Sequence, residues 1–203
     1  VFVHGLFSEP HIWENHVRAL MADPEIGDKI QCWYYVYPTG LPIAMTSMNL
    51  REALAQVQSV EDPQAKDANP QKIMLVGHSM GGILSRLQAT DSGNTFWNAW
   101  FSLPPDQVPL AKPVLTNVTK GLFFKPDPSV DRLVFIATPH RGSQMADSWI
   151  GACASALIRL PLQTVDNLTN LMSMDLDFLR VQVGKKNLSL FNSIGSLTPD
   201  HPM

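Results

Sequence analysis

Five residues, Gly77-His78-Ser79-Met80-Gly81, constrain this chain more than any other stretch. They directly follow an apolar run, Lys72 to Val76 (K-I-M-L-V), and open a set of apolar residues at helical spacing: Met80, Ile83, Leu84 and Leu87. A strand that becomes a helix so abruptly needs a tight turn, with the serine on strained backbone at its apex. The residues two places away on either side must lack bulk so that strand and helix can approach, and Gly77 and Gly81 meet that need. By composition alone the Gly-x-Ser-x-Gly pattern arises in roughly one chain in fifteen of this length. The strand–turn–helix setting is therefore what carries the information. In that setting Ser79 Oγ is expected at the carboxyl end of a sheet, above a helix amino terminus whose partial positive charge favours a developing anion. The bland alternative is a plain glycine-rich turn.

The rest of the chain repeats the same rhythm. Val1 to Val3 is a strand candidate, and Ile12, Trp13, His16, Val17 and Leu20 follow at helical spacing. Cys32 to Tyr37 (C-W-Y-Y-V-Y) is aromatic and β-branched, and stops at Pro38 and Gly40. Leu50, Leu54 and Val57 share a helical face, a polar loop runs from Glu61 to Gln71, and Arg132 to Ala137 (R-L-V-F-I-A) is a further strand. Strands this continuously apolar, alternating with helices, predict an α/β fold with a mostly parallel sheet flanked by helices. Two stretches break the rhythm. Residues 96–128 carry six prolines and are read as an insertion. Residues 148–183 carry two apolar stripes joined at Pro161.

Composition sets outer bounds. The 203 residues are 45% hydrophobic and 16% charged, with a net charge of −3, which suits one globular core and argues against disorder. The acidic balance and the lack of a basic cluster argue against nucleic acid as a partner. No stretch approaches ~18 uncharged apolar residues, so no membrane span is expected. Cys32 and Cys153 cannot make a disulfide framework; one bridge and two buried thiols both stay open. They also lack partners at ligand spacing, so neither a metal nor a cofactor is implied. Asn117, Asn167 and Asn187 begin glycosylation patterns that have meaning only in a eukaryotic secretory route.

Acyl chemistry at Ser79 would need hydrogen-bond donors where negative charge develops. One is expected from the backbone N–H of Met80, after the serine. The other is expected from the turn after the first strand, at His4-Gly5, where the N–H of Leu6 or Phe7 would point to the site. His4 itself reads as a satisfied turn histidine.

Taken together, Val3-His4-Gly5-Leu6, Gly77-His78-Ser79-Met80-Gly81-Gly82 and Ala137-Thr138-Pro139-His140-Arg141-Gly142-Ser143 resemble α/β-hydrolases of the bacterial lipase and esterase type. More distantly, they are similar to enzymes that deacylate lipid anchors. The resemblance implies a central parallel sheet, a Ser-His-acid triad and an ester substrate. It makes Ser79 the nucleophile, Gly77 and Gly81 the elbow glycines, and the N–H groups of Leu6 and Met80 the oxyanion hole.

The family order of nucleophile, acid and histidine is not completed here. One convincing strand follows Ser79, and the histidine behind it, His140, belongs to the structural P-H-R-G-S segment in the resembling lipases. His201 has no strand before it, His11 and His16 precede the serine on a helix face, and His78 lies inside the turn. Asp147, Asp166, Asp175, Asp177 and Asp200 follow no strand either. The acid and histidine are therefore expected beyond Met203. The chain is expected to be one incomplete domain, 1–203, cut at both ends, and inactive without its base.

Residues 148–183 are candidate lid helices, with Trp149, Leu157, Leu168, Met172 and Leu176 on their inner faces. Plain packing on the sheet is the alternative. A lid of this kind would bring transient contact with a membrane surface and a lipid or small-molecule ester as partner. Trp97, Trp100, Phe101, Phe123 and Phe124 either line the same acyl site or form a core of their own. An acyltransferase, a thioesterase and a non-catalytic binding protein remain competing functions. Compartment and oligomeric state are left unassigned.

Overall fold

Four short apolar runs become four strands because pairing with one another satisfies their backbone N–H and C=O groups. The computed structural model describes residues 1–61 and 72–141. Strands β1 (Phe2–Val3), β2 (Tyr34–Tyr35), β3 (Ile73–His78) and β4 (Val130–Ile136) form one sheet in the order β2-β1-β3-β4. Every pairing is parallel. Phe2 stands opposite both Tyr34 and Val76, and β3 runs beside β4 from Ile73↔Val130 to His78↔Ile136. This is the expected α/β architecture, a parallel sheet flanked by helices.

The helices are α1 (Glu14–Ala22), α2 (Ile43–Glu61), α3 (Met80–Gln88), α4 (Thr95–Trp100) and α5 (Lys112–Leu122). The described residues divide into two compact units: Val1–Thr39, residues 49–61 and 72–89, and Pro126–His140 make the first, and Gly40–Met48, Thr90–Lys125 and Arg141 the second.

In the first unit α3 lies against β1, β3 and β4. Its apolar stripe explains this: Met80, Leu84 and Leu87 are buried, as are Val3 and Leu75 in the strands and Leu50 and Leu54 of α2. Ser85 and Gln88 are fully buried as well. They are tolerated because each donates to a carbonyl one turn back, Ser85 Oγ to Gly81 (2.8 Å) and Gln88 Nε2 to Leu84 (2.8 Å). Phe2 rests on Trp13, with ring centres 5.2 Å apart, and a 3-10 turn at Pro10–Trp13 leads into α1. On β4, Val134, Phe135 and Ile136 stay exposed.

The second unit has an aromatic core. Trp97 stacks on Phe101 (4.2 Å) and Phe123 (5.3 Å), and Phe96 on Phe124 (5.5 Å). Trp97 Nε1 donates to the Leu103 carbonyl, so the buried indole is satisfied. Four of the five rings left open by the sequence, those of Trp97, Phe101, Phe123 and Phe124, thus pack in a core of this unit. Within residues 96–128, most of α4, a 3-10 turn at Pro105–Gln107 and α5 are helical. The lid candidates at 148–183 lie outside the described residues.

Candidate active site

The strand β3 ends at His78 and α3 begins at Met80, which leaves Ser79 alone to make the turn. Its backbone sits at φ 53°, ψ −123°, a region that a residue with a Cβ occupies only when its surroundings hold it there. Two hydrogen bonds do so. The Ser79 N–H donates to the Ile136 carbonyl at the end of β4 (2.8 Å), and the Ser79 carbonyl accepts from Gly82 N–H (3.0 Å). Ser79 is the N-cap of α3, yet its side chain makes no capping hydrogen bond. The hydroxyl is half-buried and is not consumed by its own helix.

The glycines around it are required by contact. A Cβ on Gly77 would stand 2.5 Å from Gly81 O and 2.5 Å from Gly82 Cα. A Cβ on Gly81 would run into the carbonyl oxygens of Val3 and His4. Strand and helix therefore touch through backbone alone. Gly82, which had no role assigned beforehand, meets a third neighbour: a Cβ there would collide with the Thr138 side chain. The second glycine of the Gly81-Gly82 pair was the signal for this approach.

Gly5 closes the other side. A Cβ there would stand 3.0 Å from Ser79 Cβ and 3.1 Å from His78 Nδ1, so the turn after β1 lies directly against the serine. His4 fixes that turn. It is 2% exposed, its ring stacks on Tyr37 at 4.3 Å, and its Nδ1 lies 2.9 Å from the Gly5 carbonyl. The Tyr37 hydroxyl donates to the His4 carbonyl at 2.6 Å. Burial lowers the His4 pKa, while the Gly5 carbonyl and Glu9 oppose that shift more weakly. Burial also raises the Tyr37 pKa, so its hydroxyl stays a donor. Tyr37 is a supporting residue that sequence reading did not single out, because its partner lies 33 positions away.

Leu6 and Phe7 follow in a turn, with Leu6 half-buried and Phe7 exposed. Neither the Leu6 nor the Met80 N–H is engaged in a backbone hydrogen bond among the described residues. Together these features make a serine on a strained strand-to-helix turn, backed by glycines and faced by the turn after a neighbouring parallel strand. That arrangement agrees with the wider comparison, in which the alpha/beta hydrolase family matches residues 1–183. The chain belongs to the alpha/beta hydrolase family. No curated protein matches it.

In this alpha/beta hydrolase the described histidines are placed as follows. His78 is half-buried, edge-on to Trp13 at 6.4 Å. His140 is exposed, its ring edge-on to Phe135 at 4.7 Å, and its backbone N–H donates to the Thr138 carbonyl. His16 meets the edge of Trp13 at 5.6 Å, and exposed His11 lies 3.4 Å from Glu9. None of these contacts reaches Ser79. Cys32 is half-buried and has no disulfide partner among the described residues. No group of three His, Cys, Asp or Glu among the described residues is placed to hold a metal ion. His201, Asp147, Asp166, Asp175, Asp177, Asp200, Cys153, Gly142 and Ser143 lie outside the described residues.

Proposed function

We propose that this protein is a serine-dependent carboxylic ester hydrolase acting on acyl lipids or other hydrophobic esters through an acyl-enzyme on Ser79. The observation that carries the proposal is the Ser79 backbone, held at φ 53° between β3 and α3 with its hydroxyl left uncapped. In the proposed reaction Ser79 Oγ attacks the ester carbonyl carbon and its proton passes to a histidine base. The N–H groups of Leu6 and Met80 receive the oxyanion. The alcohol leaves carrying that proton, and water then releases the acid and restores the hydroxyl. Each oxyanion donor is worth roughly 3 to 4 kcal/mol in the transition state. The histidine and its acid partner are assigned to positions outside the described residues.

Two features favour a hydrophobic ester over a charged one: the exposed Phe7, two residues after the Gly5 that lies against Ser79, and the apolar stripes of residues 148–183. The same stripes support a lid role and transient membrane-surface contact. The test is turnover of p-nitrophenyl esters by the full-length protein and by Ser79→Ala. Turnover should fall by a factor on the order of 10⁴ or more in the variant. A wild-type protein with no esterase activity would favour a binding role for the fold, and a variant that keeps the activity would place the nucleophile elsewhere.

A further inference from the structure

We propose that Phe7 is a substrate-contacting residue whose ring grips the acyl chain of the ester held at Ser79 and so sets preference for chain length. This rests on the ester-hydrolase proposal and names a determinant of its specificity.

Three observations meet at this residue. The first is position. Gly5 lies against Ser79, close enough that an added Cβ would be 3.0 Å from the serine Cβ. Phe7 is two peptide steps further, at most about 7 Å of chain, and a phenyl ring easily spans the distance back.

The second is backbone. Phe7 sits at φ 53°, one of three non-glycine residues at positive φ among the described residues; Ser79 is another. A bulky aromatic is among the least suited residues for that conformation, whereas glycine or asparagine takes it readily. Strain of this kind persists where surrounding structure imposes it, and it clusters at ligand sites.

The third is exposure. Phe2, Val3, His4 and Gly5 are all buried, yet the chain then presents Phe7 at 49% exposure. Among the described residues the ring stacks on no other aromatic. Half exposed, it contributes little to the core and disfavours the local backbone, so packing alone does not account for it. An exposed apolar ring within chain reach of a nucleophile suits methylene groups, whose transfer from water onto the ring is favourable by area. The bound acyl chain starts at the carbon attacked by Ser79 and has to leave the site past a neighbouring wall. Phe7 supplies such a wall on the Gly5 side.

The experiment compares kcat/KM for p-nitrophenyl acetate, butyrate, octanoate and dodecanoate in the full-length protein and in Phe7→Ala, Phe7→Leu and Phe7→Gly. The ratio of dodecanoate to acetate should fall at least tenfold in Phe7→Ala. Phe7→Leu should restore most of that ratio. Phe7→Gly relieves the backbone and removes the ring, so it should lose the ratio as fully as Phe7→Ala. An equal fall for every ester, or an unchanged ratio, overturns the inference while leaving the hydrolase proposal intact. A wild-type protein inert toward all four esters removes both.

Discussion

Gly77→Ala probes the contact on which the elbow depends. The new Cβ would stand 2.5 Å from Gly81 O, 2.5 Å from Gly82 Cα and 2.6 Å from Gly81 C. Ordinary contacts lie near 3.5 Å, so the shortfall is about 1 Å. All three neighbours are backbone, and no side chain can rotate away. The only relief is for β3 and the first turn of α3 to part by about that amount. Overpacking costs typically 1 to 3 kcal/mol, and rigid backbone on both sides places this variant near 3 kcal/mol. At about 2–4 °C per kcal/mol for a domain of this size, the melting temperature should drop by about 6 to 12 °C. Separation of about 1 Å also displaces Ser79 from the Gly5 turn, and misplacement on that scale costs about a hundredfold in rate. Thermal unfolding followed by circular dichroism, and ester turnover, measure the two effects. Gly93→Ala is the control. Gly93 has φ 46° but no atom within 4 Å of its would-be Cβ, so it tests backbone strain alone, worth about 1 to 2 kcal/mol. A Gly77→Ala protein that melts within about 2 °C of wild type and turns over ester normally would show that this close approach does not fix the elbow.

Tyr37→Phe keeps the ring stack on His4 and removes only the hydroxyl that donates to the His4 carbonyl; urea unfolding should show a loss of about 1 to 2 kcal/mol. The buried His4 imidazole has a pKa below its ordinary 6.5, so the unfolded chain binds that proton more readily than the folded one. Stability should therefore decline as pH falls below about 6.5 toward the depressed folded value, and the pH dependence of the melting temperature should flatten in His4→Gln. Gly82→Ala should destabilise the protein by more than 1 kcal/mol. Adding Thr138→Ala should recover part of that loss, because two of the three atoms that the new Cβ meets, Oγ1 and Cγ2, are then gone.

The elbow could be read from the sequence because every requirement on it is local. A strand, a turn without bulk and a helix follow one another within a short stretch, so five residues carry the signal. Other elements were less visible. The run Cys32 to Tyr37 looks like a full strand, but only Tyr34 and Tyr35 pair, because their partner β1 is itself just Phe2–Val3. The apolar stripe of α2 starts at Leu50, yet the helix begins at Ile43. Its first turns hold buried Thr46 and Ser47, which break the stripe; Thr46 Oγ1 donates to the Pro42 carbonyl, one turn back.

The prolines of residues 96–128 marked an insertion but not its internal structure. Pro105 and Pro113 occupy the first turns of their helices, where no backbone donor is missed. In the site, the support of His4 by Tyr37 and of Gly82 by Thr138 crosses long stretches of chain, which no local pattern encodes.

The decisive measurement is mass spectrometry of the full-length protein after treatment with a fluorophosphonate, followed by digestion. One phosphonyl adduct should map to Ser79, and Ser79→Ala should yield none. An unmodified Ser79 peptide, or an adduct carried by a different serine, would contradict the assignment of this residue as the nucleophile.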